Sequence, residues 1–559
     1  MVNKIETKKN KSNDLLLEIK NLHIIAKTKS GEIIPIIDGI DLKLKRGEVI
    51  GLIGESGAGK STIALSTMGY ARSGLEFSDG EILFKGTNVL NMSLTQQRQI
   101  RGMEIAYVAQ SAAASFNPSR RLNDQVCESA ILHGVMNKSD AKEHAIELFS
   151  KLKLPNPETI GERYPHQVSG GQLQRVMFAM AMMCTPDVLI LDEPTTALDV
   201  TTQIEVLAMV RELIKEYNTA AIYVTHDISV VMQITDKIAV LRHGKKVEEN
   251  TPDKLLKNPQ EDYTKELLNA RNNSLKDGIP KNDNKPFVSI KNISAGYNID
   301  IDVLRDISID IPKGTTISIV GESGSGKSTL ARSLVGLLPP RLGTFTFDGK
   351  KLPYKLADRS KEELRRIQMI YQMPDTAMNP RQRVRDVIGR PLEFYFNLKG
   401  QEKTKRILQL LDDIDLPRDF ADRYITELSG GQKQRIGIAR ALAAQPDLIV
   451  CDEVTSALDL LVGEGILQLL QQLQDKHNYT YMFITHDLAA VKNISDYVVV
   501  MQHGKVVEQG TRKDIFSPPH KPYTDLLLNS VPQMRTDWLD EVLEHRLKTT
   551  GTIFQSSDA

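Results

Sequence analysis

The chain has 559 residues, balances 71 Lys and Arg against 71 Asp and Glu, and carries only three cysteines. The length is enough for roughly 3–4 domain-sized units, and zero net charge gives no global field toward nucleic acid or an anionic membrane. Cys127, Cys184 and Cys451 lack the spacing of disulfides, zinc sites or iron–sulfur clusters and suit a reducing compartment. The Lys-rich start, MVNKIETKKNKSND, lacks the apolar stretch of a signal peptide, and no run approaches the ~20 apolar residues of a membrane span. A cytosolic chain, soluble by itself, is expected.

In chain order, the apolar run Glu48–Ile53 predicts a strand that leads into Gly54-Glu55-Ser56-Gly57-Ala58-Gly59-Lys60-Ser61-Thr62 and then a helix. Strand, glycine loop and helix are the context that the G-x-x-x-x-G-K-[ST] pattern requires. Backbone N–H groups turn inward around a phosphate chain, and the helix N-terminus adds partial positive charge. Lys60 would reach the outer phosphates and Ser61 would ligate Mg²⁺, so the loop predicts nucleoside triphosphate binding. Gln110 follows a predicted strand, Ile105–Ala109, and can touch both the metal and an attacking water. Ala145, Leu148, Phe149 and Leu152 recur with helical spacing and stop before Leu154-Pro155, which marks an inserted helical subdomain.

Ser169-Gly170-Gly171-Gln172 opens another helical run, with serine as N-cap and bare N–H groups on the two glycines. Asp187–Asp192 (DVLILD) reads as a buried parallel strand whose C-terminal end carries function. Asp192 would hold Mg²⁺ through its water shell, and Glu193 is positioned to orient or deprotonate the attacking water. His226, in AIYVTHD, lies 33 residues beyond Glu193 and is a candidate γ-phosphate contact.

Every one of these features recurs. The second loop is Gly321-Glu322-Ser323-Gly324-Ser325-Gly326-Lys327-Ser328-Thr329, with Ser328 as the metal ligand, after the run Thr315–Val320. Gln372, Ser429-Gly430-Gly431-Gln432, Asp452, Glu453 and His486 follow in the same order, and Ile407, Leu410, Leu411 and Ile414 repeat the helical signal. The spacing between copies is 267 residues at the lysines (Lys60, Lys327), 262 at the glutamines (Gln110, Gln372) and 260 at the serines, glutamates and histidines. Length therefore varies where loops absorb it and is kept where active groups must be placed. Arg271–Pro286 is polar and turn-rich and reads as a linker. Its ~20–24 Å average span lets the halves pair within the chain.

The order of phosphate loop, glutamine, SGGQ, D-E, ALD and THD resembles the ATP-binding-cassette (ABC) ATPases, over about residues 14–535. The resemblance implies an α/β fold with two P-loop NTPase domains in tandem, 14–270 and 287–535. Each would have a core ATPase subdomain with a mixed sheet and an inserted helical subdomain. The remaining segments are a disordered basic N-terminus (1–13), the linker (271–286) and a C-terminal tail (536–559), both ends being read as solvated. It further implies head-to-tail pairing around two ATP molecules. Lys60 and Glu193 would share one with Ser429–Gln432, and Lys327 and Glu453 the other with Ser169–Gln172. Ala197-Leu198-Asp199 and Ala457-Leu458-Asp459 match the loop that crosses the seam. Tyr297 stands where the family stacks an aromatic on adenine, whereas the first half has Ala26. If stacking contributes ~1–3 kcal/mol, the first site would bind ATP more weakly, and both sites are expected to hydrolyse it.

Three machines use such chains. A DNA-repair or chromosome ATPase would carry zinc cysteines or a long coiled coil, and neither is present. A soluble translation-factor-type ATPase acting on ribosomes remains the alternative, although the short linker and zero net charge point away from it. SAAASFNPSRR after Gln110 and MPDTAMNPRQR after Gln372 resemble the peptide/nickel importer subfamily, as do the closing tails Asn258–Ala270 and Ser517–Pro532, which share Tyr-Thr-x-x-Leu-Leu. That resemblance implies two transmembrane permease subunits, an extracytoplasmic solute-binding protein, a peripheral position on the cytoplasmic side of the cell membrane, and no nucleic acid. Permease helices would dock beside Gln110–Arg120 and Gln372–Arg381. The cargo (oligopeptide, dipeptide, nickel, metallophore or opine) is not encoded in an ATPase that never touches it.

Overall fold

The computed structural model describes residues 15–27, 31–195, 198–269, 286–298, 301–456 and 458–550. The expected basic N-terminus, the linker up to residue 285, and Ala197 and Ala457 of the ALD loops lie outside them. The chain divides into two compact units. One comprises Met1–Leu198, Thr202–Leu268 and Pro532–Ala559; the other comprises Asp199–Thr201 and Asn269–Val531.

Each unit is built on a six-stranded mixed sheet. In the first, the spatial order is Lys245–Asn250, Lys237–Arg242, Val49–Ile53, Ala220–Val224, Val188–Asp192 and Ile105–Val108. All neighbours pair in parallel except the antiparallel edge strand Lys245–Asn250. The three central parallel strands, Val49–Ile53, Ala220–Val224 and Val188–Asp192, are nearly all apolar and wholly buried, as sheets covered on both faces require. Because they run the same way, their C-terminal ends lie along one edge, where a doubly covered sheet presents its ligand site. A second, antiparallel sheet (Ile33–Lys45, Leu15–Lys27, Leu75–Phe84, Thr87–Asn88) packs its apolar side into the same core. The second unit repeats both sheets strand for strand, with Thr316–Val320, Leu448–Asp452, Thr480–Ile484 and Ile367–Ile370 as the corresponding parallel strands.

Between the glutamine and the SGGQ serine each unit inserts helices. Lys138–Lys151 and Gly400–Asp413 carry the predicted apolar stripes, and Ala145, Leu148, Phe149, Ile407, Leu410 and Leu411 are buried. The inserts differ upstream of those helices. Two short helices, Leu122–Val126 and Glu128–Leu132, stand in the first unit, and a single longer one, Val384–Phe396, in the second.

The C-terminal tail departs from its reading as solvated chain. Trp538–Thr550 is a helix, and Trp538, the only tryptophan in the sequence, is 1% exposed. Gln233 of the first unit holds the tail by its side-chain amide. Its Nε2 donates to the carbonyls of Gln533 (3.2 Å) and Arg535 (2.7 Å), and its Oε1 accepts from the N–H of Leu539 (3.1 Å). Arg211 pairs with Asp540 at 2.6 Å, and Arg546 lies 3.8 Å from Glu205, which is also bonded to Arg175. The polar, charge-rich segment conceals two adjacent apolar residues, Trp538 and Leu539, whose burial acts together with the Gln233 bonds and the ion pairs to hold the helix. Trp538→Ala is expected to cost about 3–5 kcal/mol, read as a lowered denaturant midpoint for the first unit's transition, whereas an equal midpoint would mean a tail that contributes nothing.

Candidate functional site

The sheet edge gathers side chains that are distant in sequence. The strand Val49–Ile53 delivers the phosphate loop. Its neighbour Ala220–Val224 delivers His226, the next strand delivers Asp192 and Glu193, and the edge strand Ile105–Val108 delivers Gln110. Gly54 is required by packing, because a Cβ there would stand 2.1 Å from the Leu241 carbonyl oxygen; at Gly321 the same clash is with Met501. Lys60 begins the following helix, is 7% exposed, and donates from Nζ to the carbonyls of Gly54 (2.7 Å) and Glu55 (2.9 Å). Lys327 repeats this with Gly321 and Glu322, both at 2.8 Å, and burial lowers its pKa.

Ser61 Oγ donates to Asp192 Oδ1 at 2.8 Å, and Ser328 to Asp452 at 2.9 Å. Burial pushes the Asp452 carboxyl up, an effect that Ser328 partly offsets. Two of the three predicted metal ligands of each half thus meet, while the third, Gln110 or Gln372, bonds to the adjoining glutamate. In the first unit Tyr107, which sequence reasoning passed over, donates its hydroxyl to the other oxygen of Asp192 at 2.8 Å. The corresponding residue in the second unit is Met369, so no matching hydroxyl exists there. Tyr107 pointed inward from a strand whose alternation was the only available signal.

Glu193 is held from three sides. Gln110 Nε2 donates to Oε2 at 2.7 Å, His226 Nδ1 lies 3.0 Å from Oε1, and the Glu193 N–H donates to the Val224 carbonyl at 2.8 Å. Glu453 has the same partners, Gln372 at 2.6 Å, His486 at 3.4 Å and the Ile484 carbonyl at 2.8 Å. Both glutamates adopt φ 49°, a left-handed conformation uncommon outside glycine and frequent where a site holds its backbone under strain. At His226 and His486 burial lowers the pKa, but the hydrogen bond and charge of the neighbouring glutamate outweigh it and the net shift is upward. Burial raises the Glu453 carboxyl, but His486 and Lys327 more than compensate and it lies below the usual range. A carboxylate oriented by an amide and an imidazole is equipped to accept a proton from water.

Ser169 and Ser429 cap the helices Gly170–Met182 and Gly430–Leu442. Each forms a capping box with its own glutamine: the serine Oγ accepts from the Gln172 or Gln432 N–H at 3.3 Å, and the glutamine Oε1 accepts from the serine N–H at 3.2 or 2.9 Å. The glutamine of SGGQ therefore has a local structural task that its presumed ligand role obscured. The serine hydroxyl proton and the glycine N–H groups of the first turn remain suited to an anion. Tyr297 is 56% exposed and accepts a hydrogen bond from Arg332 at 3.0 Å; Ala26 lies in the strand Leu15–Lys27.

Comparison with known proteins matches this architecture. The family described as "ABC transporter" matches residues 37–196 and 304–456, and "Oligopeptide/dipeptide transporter, C-terminal region" matches 507–555. The "Glutathione import ATP-binding protein GsiA" of Salmonella paratyphi A is 37% identical over 92% of this chain and 89% of its own length, and that of Escherichia coli (strain K12) is 36% identical with the same coverage. A solved structure titled "Dimeric structure of a post-hydrolysis state of the ATP-binding cassette MJ0796 bound to ADP and Pi" is 31% identical over 40% of this chain and 98% of its own, with a TM-score of 0.37. The family and relative matches favour the transporter over the ribosome-acting alternative. The chain belongs to the ABC transporter family as an ATP-binding, ATP-hydrolysing subunit with two cassettes in tandem.

Proposed function

We propose that this subunit energises the import of short peptides or similar small solutes through separate permease subunits, with an extracytoplasmic solute-binding protein delivering cargo. The observation that carries this reading is the match of residues 507–555 to the oligopeptide/dipeptide transporter C-terminal region, together with relatives named for import of glutathione, itself a tripeptide. Among the described residues no helix is long and apolar enough to cross a membrane, so the translocation path is assigned to other chains. The protein would sit at the cytoplasmic face of the cell membrane, with permease helices beside Gln110–Arg120 and Gln372–Arg381.

Each ATP is proposed to be shared. Gly54–Thr62 cradle one triphosphate with Lys60 on its outer phosphates, and Ser429–Gln432 contribute serine and glycine donors to the same γ-phosphate. Gly321–Thr329, Lys327 and Ser169–Gln172 do likewise for the second. Charged hydrogen bonds of about 1.5–3 kcal/mol each would favour the closed pair until the γ-phosphate is cleaved, when the differential contact is lost. The hydroxyl and carboxylate oxygens of Ser61 with Asp192, and Ser328 with Asp452, are hard ligands of the kind Mg²⁺ takes, and Gln110 and Gln372, bonded to the adjoining glutamates, are proposed as further ligands. Mg²⁺ would neutralise phosphate charge there, while Glu193 and Glu453 accept the proton of the attacking water and His226 and His486 orient them and face the γ-phosphate. Tyr297 is proposed to stack on adenine at the second site.

Two measurements test this. Positioned proton transfer contributes about 10²–10⁴-fold, so the Glu193→Gln, Glu453→Gln double variant should lose at least ~100-fold in ATP turnover while retaining ATP binding; turnover within a few-fold of the parent would remove both glutamates from the chemistry. Purification of the tagged chain from membranes in mild detergent should recover two multi-span permeases, whereas recovery with ribosomes would overturn the importer assignment.

A further inference from the structure

The two Tyr-Thr-x-x-Leu-Leu helices are not spent on packing alone. In the first unit Tyr263, on the helix Asp262–Asn269, is 5% exposed, and its hydroxyl accepts the N–H of Glu55, the second residue of the phosphate loop, at 3.2 Å. In the second unit Tyr523, on Pro522–Asn529, is 8% exposed and accepts the N–H of Glu322 at 3.1 Å. The pairs are 208 and 201 residues apart in sequence.

The bonded N–H belongs to a peptide unit with a particular task. The peptide joining Gly54 to Glu55 presents its N–H to Tyr263 and its carbonyl to Lys60 Nζ, and the peptide joining Gly321 to Glu322 divides itself in the same way between Tyr523 and Lys327. A hydroxyl on one side and an ammonium on the other leave that plane a single orientation. When the ammonium turns to a phosphate, the tyrosine is the restraint that stays. The helices are themselves fixed. Glu248 accepts from the N–H groups of Gln260 (3.1 Å) and Glu261 (3.2 Å), and the Arg242 guanidinium lies 4.5 Å from the Tyr263 ring centre. Glu508 accepts from the Lys521 N–H at 3.2 Å and from the Thr524 hydroxyl.

We infer that Tyr263 and Tyr523 are positioning residues for the phosphate loops, holding the peptide before each loop lysine in the orientation that nucleotide binding requires. The inference rests on the reading of Lys60 and Lys327 as phosphate ligands and adds to it the C-terminal helix of each half as part of the loop's support. These helices directly precede the linker and the tail in sequence.

The test is ATP affinity and turnover in the full-length protein carrying Tyr263→Phe, Tyr523→Phe or both. Phenylalanine keeps the ring and removes only the hydroxyl. The double variant should bind ATP roughly 3- to 10-fold more weakly, the worth of one neutral hydrogen bond, with kcat at saturating ATP within about twofold. Thr264→Val controls for the helix, because the Thr264 hydroxyl is buried with no hydrogen-bond partner among the described residues; its ATP affinity should match the parent. Parental affinity in the double Phe variant, or a fall in kcat alone, overturns the inference. The Lys60→Ala, Lys327→Ala variant separates the two readings. If it still binds ATP like the parent, the phosphate-loop assignment has failed; if it does not, and the Phe variants bind normally, only the tyrosine role falls. Should the double variant unfold, the single substitutions carry the same readout, each on its own loop.

Discussion

Each half is organised around an ammonium buried at the base of a glycine loop and held by that loop's own carbonyl oxygens. Taking such a cation out of water costs several kcal/mol unless dipoles or anions replace the hydration. The Gly54 and Glu55 carbonyls, and their counterparts Gly321 and Glu322, supply the dipoles. On the proposed reading a triphosphate would supply a stronger partner, and binding would exchange carbonyl contacts for charge–charge contacts. The arrangement holds only while the loop backbone keeps its orientation. The close approach of Gly54 to the Leu241 carbonyl and the tyrosine hydroxyl bond both serve that end.

The hydrolytic side follows the same logic of over-determined placement. A glutamate in left-handed backbone conformation persists because its N–H is tied to the end of the neighbouring strand, while its carboxylate is held by the histidine that follows that same strand and by a glutamine from the edge strand. Three segments distant in sequence therefore converge on one carboxylate. The parallel sheet makes this possible, since every strand ends at the same edge.

The repeats are not copies in their supports. Asp192 has Tyr107 on its second oxygen, where the other unit offers Met369. Glu205 joins Arg175, on the SGGQ helix, to Arg546 of the tail, whereas the second unit has Gly465 at the matching place and its Arg435 turns to Asp415 and the Ile414 carbonyl. The chemistry is duplicated while the scaffolding around it has diverged, so the two sites meet different electrostatic and mechanical surroundings.

Much of this was legible beforehand because it is local. A glycine loop after an apolar run, a serine before two glycines, and carboxylates at the end of a buried strand are decided by neighbours within a few residues, and two copies at nearly fixed spacing made them unambiguous. The apolar stripes at Ala145–Leu152 and Ile407–Ile414 predicted their helices for the same reason. The tail was misread because its composition is polar and the two anchoring side chains, Trp538 and Leu539, gain their value only from a surface formed by residues 205–253. Tyr107, Tyr263 and Tyr523 were invisible as site residues, since nothing in a strand or a terminal helix announces where a hydroxyl will point. The sequence by itself determined the motifs, their order along the chain, and the strand ends and helix starts that carry them. Tertiary structure alone decided which buried hydroxyls and amides hold those groups in place, because such bonds join residues 80 to 210 positions apart and are selected by packing geometry, not by local pattern.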